Sequence, residues 1–212
     1  DLGVNNLCTM GSNVLKPTLI NGKPLKSINQ YYNKKLANLK SKLINEKKTS
    51  KRIKSLTNKR NNKVNDYLHK ASRLITNYLV SNNINTLVIG KNKEWKQDVN
   101  IGKKNNQNFV QIPHSRLIDM ISYKCKIEGI FVIITEESYT SKCSFLDDED
   151  IKKHKVYKGN RIKRGLFKSS EGVLINADVN GSLNILKKVV GKFNYNPIEV
   201  CSTPTVITVK FN

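Results

Sequence analysis

The alternation of apolar and polar stretches predicts an α/β fold, and three neighbouring segments carry that reading. Residues 86–90 (T-L-V-I-G) form a short apolar run of strand type closed by glycine. A helix follows, opened by His114 or Ser115, with Leu117, Ile118, Ile121 and Cys125 on one face and Glu128-Gly129 at its end. Residues 130–135 (I-F-V-I-I-T) are almost wholly apolar over a strand's length, which predicts a strand buried on both faces in the middle of a sheet. Strand, helix and strand in that order make a parallel crossover unit.

The remaining elements are placed around this unit. Residues 1–10 alternate loosely, with Leu2, Val4 and Leu7 apolar, and suit a strand running into a turn. A turn-rich stretch reaches Pro24. From Ser27, a possible N-cap, apolar residues fall at Ile28, Tyr32, Leu36, Leu39 and Leu43, the three-and-four spacing of an amphipathic helix whose other face carries Lys34, Lys35, Lys40 and Lys42. A second helix continues through Val64, Leu68, Ala71, Ile75 and Leu79, so residues 27–82 read as a helical arm joined near Thr49. Its tip is basic, with Lys47, Lys48, Lys51, Arg52, Lys54, Lys59, Arg60 and Lys63 against a single nearby acid, Glu46. A solvated helix face usually mixes signs; this one does not, which favours contact with backbone phosphates.

Residues 92–111 are polar and Asn-rich, a long loop anchored by Trp95, Val99, Ile101, Phe109 and Val110. After Glu136-Glu137 comes a Lys-rich, hairpin-like insert, 139–172, then a strand at 173–175 and a helix from about Asp178 with Leu183, Ile185, Leu186 and Val189 apolar. The tail, 191–212, contains Pro197 and Pro204 and a β-rich end. No internal repeat is visible.

A length of 212 residues fits one domain, or one domain with an arm, and excludes a peptide or a disulfide-stapled miniprotein. Lys and Arg outnumber Asp and Glu by 38 to 16, a formal charge of +22 that folding does not require and that must meet something anionic. Nucleic acid is the first partner expected. A membrane is the second, but no apolar run approaches the ~20 residues that span a bilayer, and no signal segment opens the chain, so it reads as cytoplasmic. Four scattered cysteines, Cys8, Cys125, Cys143 and Cys201, fit a reducing compartment as small buried hydrophobes. The first residue is Asp1 and not Met, in what looks like the second half of a strand, so upstream chain has been removed or the gene is broken.

A chain poor in acids places four of them at strand ends or a helix start: Asp1, Glu136, Glu137 and Asp178. Clustered carboxylates need cations, and carboxylates converging from separate elements suit oxygen-seeking Mg²⁺. Acids that hold metal within a basic surface that holds a polyanion are what phosphodiester cleavage requires.

The segments D-L-G-V-N-N (1–6), T-E-E-S-Y-T-S-K (135–142) and N-A-D-V-N-G-S-L-N-I (176–185) occur in that order, with N-G-K-P-L-K-S-I-N-Q-Y-Y-N-K (21–34), N-Q-N-F-V-Q-I-P (106–113) and Y-K-G-N-R-I-K-R-G-L-F (157–167) in register between them. Together they resemble the RuvC-like nuclease half of the OrfB/TnpB proteins of insertion sequences, relatives of type V CRISPR effectors and Fanzor proteins. The resemblance implies an RNase H-like mixed sheet flanked by helices over residues 1–190. It also implies a metal-dependent DNA endonuclease, historically termed a transposase, guided by RNA and associated with a prokaryotic nucleoid.

By motif, Asp1 is the first acid and Asp178 the third. Most members keep the second in the strand that here ends at Gly90; a subset supplies it from E-x-x-T-S-K, which is Glu137 here, while Glu136 would point to the opposite face. Asp1 would then bridge two Mg²⁺ ions that Glu137 and Asp178 complete. Lys142, Arg161 and Arg164 join the arm's cations as nucleic-acid contacts. The family's four-cysteine ribbon is reduced to Cys143, so no zinc is expected, and the insert must be held by Phe145, Leu146, Tyr157, Leu166 and Phe167. His69, His114 and His154 sit in no motif that asks for a general base. Tyr139 and Trp95 could stack on unpaired bases or pack in the core. The contrasting expectation is a truncated, catalytically inactive nucleic-acid-binding remnant.

Overall fold

The computed structural model describes residues 1–44, 47–92 and 111–210. Trp95, Val99, Ile101, Phe109 and Val110, expected to anchor the long loop, lie outside the described residues. In chain order the elements are β1 (Asn6–Met10), β2 (Thr18–Asn21), α1 (Lys23–Lys40), α2 (Lys51–Ser81), β3 (Thr86–Gly90), α3 (His114–Ile127), β4 (Phe131–Thr135), β5 (Asn160–Lys163), β6 (Leu166–Lys168), β7 (Leu174–Asn176), α4 (Ala177–Val190), α5 (Pro197–Cys201) and β8 (Thr205–Ile207).

The chain is mixed α/β as expected, but among the described residues its strands form separate sheets ordered β1-β2-β8, β3-β4 and β5-β6-β7. Strands β3 and β4 run parallel, Thr86 opposite Phe131 through Gly90 opposite Thr135, with α3 as their crossover. Expected to be buried on both faces, β4 instead leaves Phe131 73% and Ile134 51% exposed. It bonds to β3 alone among the described strands, so it forms an edge and its outer face has no layer upon it.

Helix α1 begins four residues before the expected Ser27 cap. Gly22 occupies the cap position and Pro24 the first turn, where a fixed φ and a missing N–H cost nothing. Ser50 caps α2, its Oγ accepting from Ile53 N at 3.3 Å. The arm is therefore not separate over its whole length. Val64, Tyr67, Leu68, Ala71, Ile75 and Leu79 put the second half of α2 into the main core beside Leu117, Ile118 and Ile121 of α3.

The stretch read as turn proves to contain a strand, and the β-rich end of the tail proves to be its neighbour in a sheet. The region before Pro24 contains β2, which pairs antiparallel with β1, and the C-terminal segment supplies β8, parallel to β2, with Val209 in the main core. Short strands paired to distant chain bury their backbone without a long periodic signature. Residues 1–5 fold back on β1, Leu2 bridging to Cys8, and the strand itself begins only at Asn6.

A second core gathers Phe145, Phe167, Ile175, Val179, Leu183 and Val200, with Leu146 at its edge. It ties the insert to α4, as the expected packing of Phe145 and Phe167 requires. Tyr157 is not in it; its ring lies 5.4 Å from that of His154 instead. No described helix is long and apolar enough to cross a membrane.

Candidate carboxylate cleft

The three acids stand on different elements, and Asp1 and Glu137, but not Asp178, line a common cleft. Asp1 is held by the fold-back against β1: its backbone O accepts from Thr9 N at 2.8 Å and its α-amino group donates to Thr9 O at 3.1 Å. Glu137 follows β4 in a turn closed by Thr140, whose N and Oγ1 donate to Glu137 O at 3.2 and 2.8 Å. Asp178 opens α4, where the Asn176 side chain accepts from Asp178 N and Val179 N and leaves the carboxylate at the positive end of the helix.

Asp1 and Glu137 line one open cleft of about 450 Å³ with Asn92, Tyr139, Thr140 and Lys142. Asp1 also lines a mostly apolar groove between β1 and β3. Two glycines make room for these carboxylates. A Cβ at Gly90 would lie 2.6 Å from Glu137 Oε2, and one at Gly181 would lie 3.1 Å from Asp1 Oδ2. The Glu137 carboxylate thus occupies the space into which a side chain at position 90 would project.

Glu137 Oε2 is buried with no hydrogen-bond partner. Burial pushes the Glu137 carboxyl above its ordinary value, partly opposed by the Asp1 α-ammonium. Burial likewise lowers that ammonium, against the opposing pull of Cys8, Glu137 and Asp178. Glu137 and Asp178 therefore lie within electrostatic reach of residue 1.

Glu136 differs in every respect. It is exposed, bonds to Lys188 Nζ at 2.8 Å and to Ser138 N at 2.7 Å, and is held below its ordinary value by those contacts. Asp178 is occupied, with Oδ2 accepting from Asn6 at 2.8 Å and Oδ1 from Arg161 at 3.0 Å. Among the described residues no three His, Cys, Asp or Glu side chains stand close enough, as placed, to hold one ion jointly. The donor chemistry nevertheless suits a hard divalent cation, because two carboxylate residues, Asp1 and Glu137, line one cleft and one oxygen of Glu137 has no hydrogen-bond partner.

The expected nucleic-acid contacts divide. Lys47, Lys48, Lys51, Arg52, Lys54, Lys59 and Lys63 are exposed along the start of α2 and its approach, and Lys142 is exposed at the cleft. Arg60 departs from the set: its guanidinium donates to Asn29 Oδ1 at 2.8 Å, Gln111 O at 2.7 Å and Asn61 Oδ1 at 3.0 Å, and stacks over Tyr32. It fastens α1 to α2 and has little capacity left for phosphate. Arg161 is exposed but engaged with Asp178. Arg164 is exposed and faces Asn5, whose amide oxygen can accept from it at 3.2 Å. Tyr139 is exposed, at a φ of +67°. His114 is buried with Nε2 2.9 Å from Gly3 O, and His154 lies 2.8 Å from Asp150 O, so neither faces the cleft as a base.

Cys143 directs its thiol at Asp150 O and Lys152 O, 3.3 and 3.6 Å away. Around it Glu149, 3% exposed, accepts from Ser144 N at 2.8 Å and from Lys158 N at 2.9 Å. Asn180 and Asn184 on α4 both donate to Cys143 O, and Asn184 also to Thr140 O. Sequence reasoning missed Glu149, Asn180 and Asn184; the N-x-x-x-N spacing on a helix, which puts both amides on one face, is the signal that could have found the pair.

Comparison with known proteins is consistent in both halves. Residues 1–96 match the OrfB_IS605 family, described as a probable transposase, and residues 114–185 match the Cas12f1-like TNB domain. A TnpB-like protein of Methanocaldococcus jannaschii is 30% identical over 132 residues, covering 61% of this chain and 47% of the relative. The chain thus spans about half the length of that relative. Among solved structures, a Cas12f1–sgRNA–target DNA complex superposes with a TM-score of 0.64 at 20% identity, over 87% of this chain and 47% of that one. A CRISPR-Cas12f ternary complex gives 0.62 at 17% identity, over 87% and 37%. At these identities the likeness is one of fold.

Proposed function

We propose, from the match of residues 1–96 to the OrfB_IS605 family and of residues 114–185 to the Cas12f1-like TNB domain, that the chain is an OrfB/TnpB-type protein forming the catalytic half of a nuclease that cuts DNA under RNA guidance, with Asp1, Glu137 and Asp178 as its metal-binding acids. One observation carries the reading: Glu137 lines the cleft that Asp1 also lines, while its Oε2 lies buried over Gly90 without a hydrogen-bond partner. The fold shared with a Cas12f1 complex that contains sgRNA and target DNA supports the choice of partners.

When bound, divalent ions, Mg²⁺ in this reading, would supply an activated water and stabilise the leaving oxygen. Asp1 and Glu137 hold the cleft's negative charge. Lys142 at the cleft and the exposed lysines of α2 draw in the polyanion. Asn6 and Arg161 occupy Asp178, so that carboxylate is available to an ion only after exchanging these partners. The same contacts favour a second reading, a catalytically silent fragment that binds nucleic acid through charge alone.

A divalent-dependent cleavage assay with the guide RNA separates the two. The nuclease reading expects Glu137→Ala to lower the rate on the order of 100-fold or more and Glu136→Ala to cut nearly as wild type; no cutting under any condition, with binding retained, selects the silent fragment. Binding itself should weaken roughly tenfold or more between low and moderate salt, and replacing Lys51, Arg52 and Lys54 by Ala should flatten that slope.

A further inference from the structure

The Glu137 carboxylate has one neighbour whose role the family assignment leaves open. Asn92, two residues beyond Gly90, meets Glu137 at two points: its Oδ1 accepts from Glu137 N at 3.1 Å and its Nδ2 donates to Glu137 Oε1 at 3.4 Å. One side chain thereby engages the backbone and the carboxylate of the same residue, which restricts the torsions between them. With Oε1 turned toward Asn92, Oε2 is left over Gly90, where nothing donates to it.

We propose that Asn92 is the positioning residue of the second acid: by holding Glu137 at its backbone N and at Oε1 it fixes the carboxylate, with Oε2 over Gly90, as a ligand for a divalent cation at the cleft. The inference rests on the reading of Glu137 as a metal-binding acid. An acid projecting from β3 would be oriented by its strand. Glu137 leaves a turn after β4 and has no such support, so the amide at the end of β3 supplies the orientation. The arrangement also accounts for Gly90. A methyl group there would come within 2.6 Å of Oε2 and 2.7 Å of Ile185 Cδ1, so the end of β3 can hold the displaced carboxylate only while position 90 lacks a side chain. Outer partners that orient a metal ligand are worth roughly 10- to 100-fold in metal affinity.

The test is titration of the full chain with Mn²⁺ alone, read by calorimetry or electron paramagnetic resonance, for wild type, Asn92→Ala, Gly90→Ala and Glu137→Ala. Asn92→Ala should raise the Mn²⁺ dissociation constant about tenfold while the unfolding midpoint stays within about 2 °C. Gly90→Ala should weaken Mn²⁺ similarly by a different route, pushing the carboxylate and not releasing it. In a crystal structure of Asn92→Ala, grown without metal, Glu137 should adopt a different rotamer. Unchanged Mn²⁺ affinity in Asn92→Ala together with an unmoved Glu137 overturns the proposal. If Glu137→Ala itself leaves Mn²⁺ binding intact, the assignment of the second acid fails, whereas loss in Glu137→Ala alone rejects only the clamp. Should the wild-type chain take up no Mn²⁺, the rotamer in the metal-free crystal decides the clamp by itself.

Discussion

Glu149, in the insert between β4 and β5, is nearly inaccessible, and each of its oxygens accepts a backbone N–H, one from Ser144 and one from Lys158. Glu137, twelve positions earlier, has one oxygen against Asn92 and the other buried without a partner. The insert uses its buried carboxylate as a bracket that closes a loop. The cleft keeps its own carboxylate unsatisfied, at a cost that folding alone gives no reason to bear. The contrast separates a structural acid from a chemical one by partner count, where burial alone would have grouped them. It also shows how the insert is organised around a lone thiol, with Glu149, Asn180 and Asn184 joining the loop of Cys143 to α4.

The largest expected effect lies in the insert. Glu149→Ala removes two charge-assisted hydrogen bonds and leaves the buried Ser144 N–H without its acceptor, and should lower unfolding stability by about 3 kcal/mol, measured by denaturant titration. A loss below about 0.5 kcal/mol would make the bracket incidental. Glu137→Gln should do the opposite at neutral pH, equalling or exceeding wild type in unfolding midpoint, because a desolvated charge has been removed. Substantial destabilisation there would break the comparison.

The pH dependence sharpens it. The Glu137 carboxyl is raised from 4.5 by burial, so between its unfolded and folded values the native state binds more protons than the unfolded one. Its contribution is most favourable below the unfolded value and is lost as pH rises through the folded one. Glu136 is lowered from 4.5 by the hydrogen bonds from Lys188 and Ser138; its contribution is present above the unfolded value and lost as pH falls through the folded one. The difference in midpoint between wild type and each Gln variant, followed from pH 3 to 8, should therefore have opposite sign for the two neighbours. For Glu136, an exposed pair, the amplitude should be under about 1 kcal/mol. Slopes of the same sign would mean that the two environments are not distinct.

The smallest effect expected is that of chelation. The insert's thiol faces backbone carbonyls and its loop is closed by Glu149, so EDTA should leave the unfolding midpoint of the metal-free chain unchanged. A drop of several degrees, with about one zinc per chain by elemental analysis, would require a metal site in place of the carboxylate bracket.

How much was legible in the sequence varied by element. The crossover of β3, α3 and β4 was readable because each segment carries its own period and punctuation. Strand β2 was not, since it is four residues long and exists by pairing with β1 and β8, and of β8 only its β character was legible, its parallel partner β2 being nearly two hundred residues away. The apolar run of β4 predicted burial on both faces, yet hydrophobicity records only what a face could bury and not whether a layer covers it. The one-signed run at the start of α2 was visible as composition, but the diversion of Arg60 into Asn29 and Gln111 depends on α1 and on chain 51 residues further on.

The sequence by itself carried the likeness to OrfB/TnpB proteins, the mixed α/β class, the basic character and the motifs that single out three acids, because these reside in residue type, order and short-range spacing. The motif singled out Glu137 over Glu136, but tertiary structure alone decided the surroundings that set these two adjacent glutamates apart. Glu136 and Glu137 have the same chemistry and differ by one position. What distinguishes them is long-range: Lys188 of α4 neutralises the first, while Asn92 and the missing side chain of Gly90 at the end of β3 receive the second. The same holds for Asp178, whose place at the head of α4 follows from the Asn176 cap, but whose occupation by Asn6 and Arg161 exists only once residues 172 and 17 positions away are folded against it.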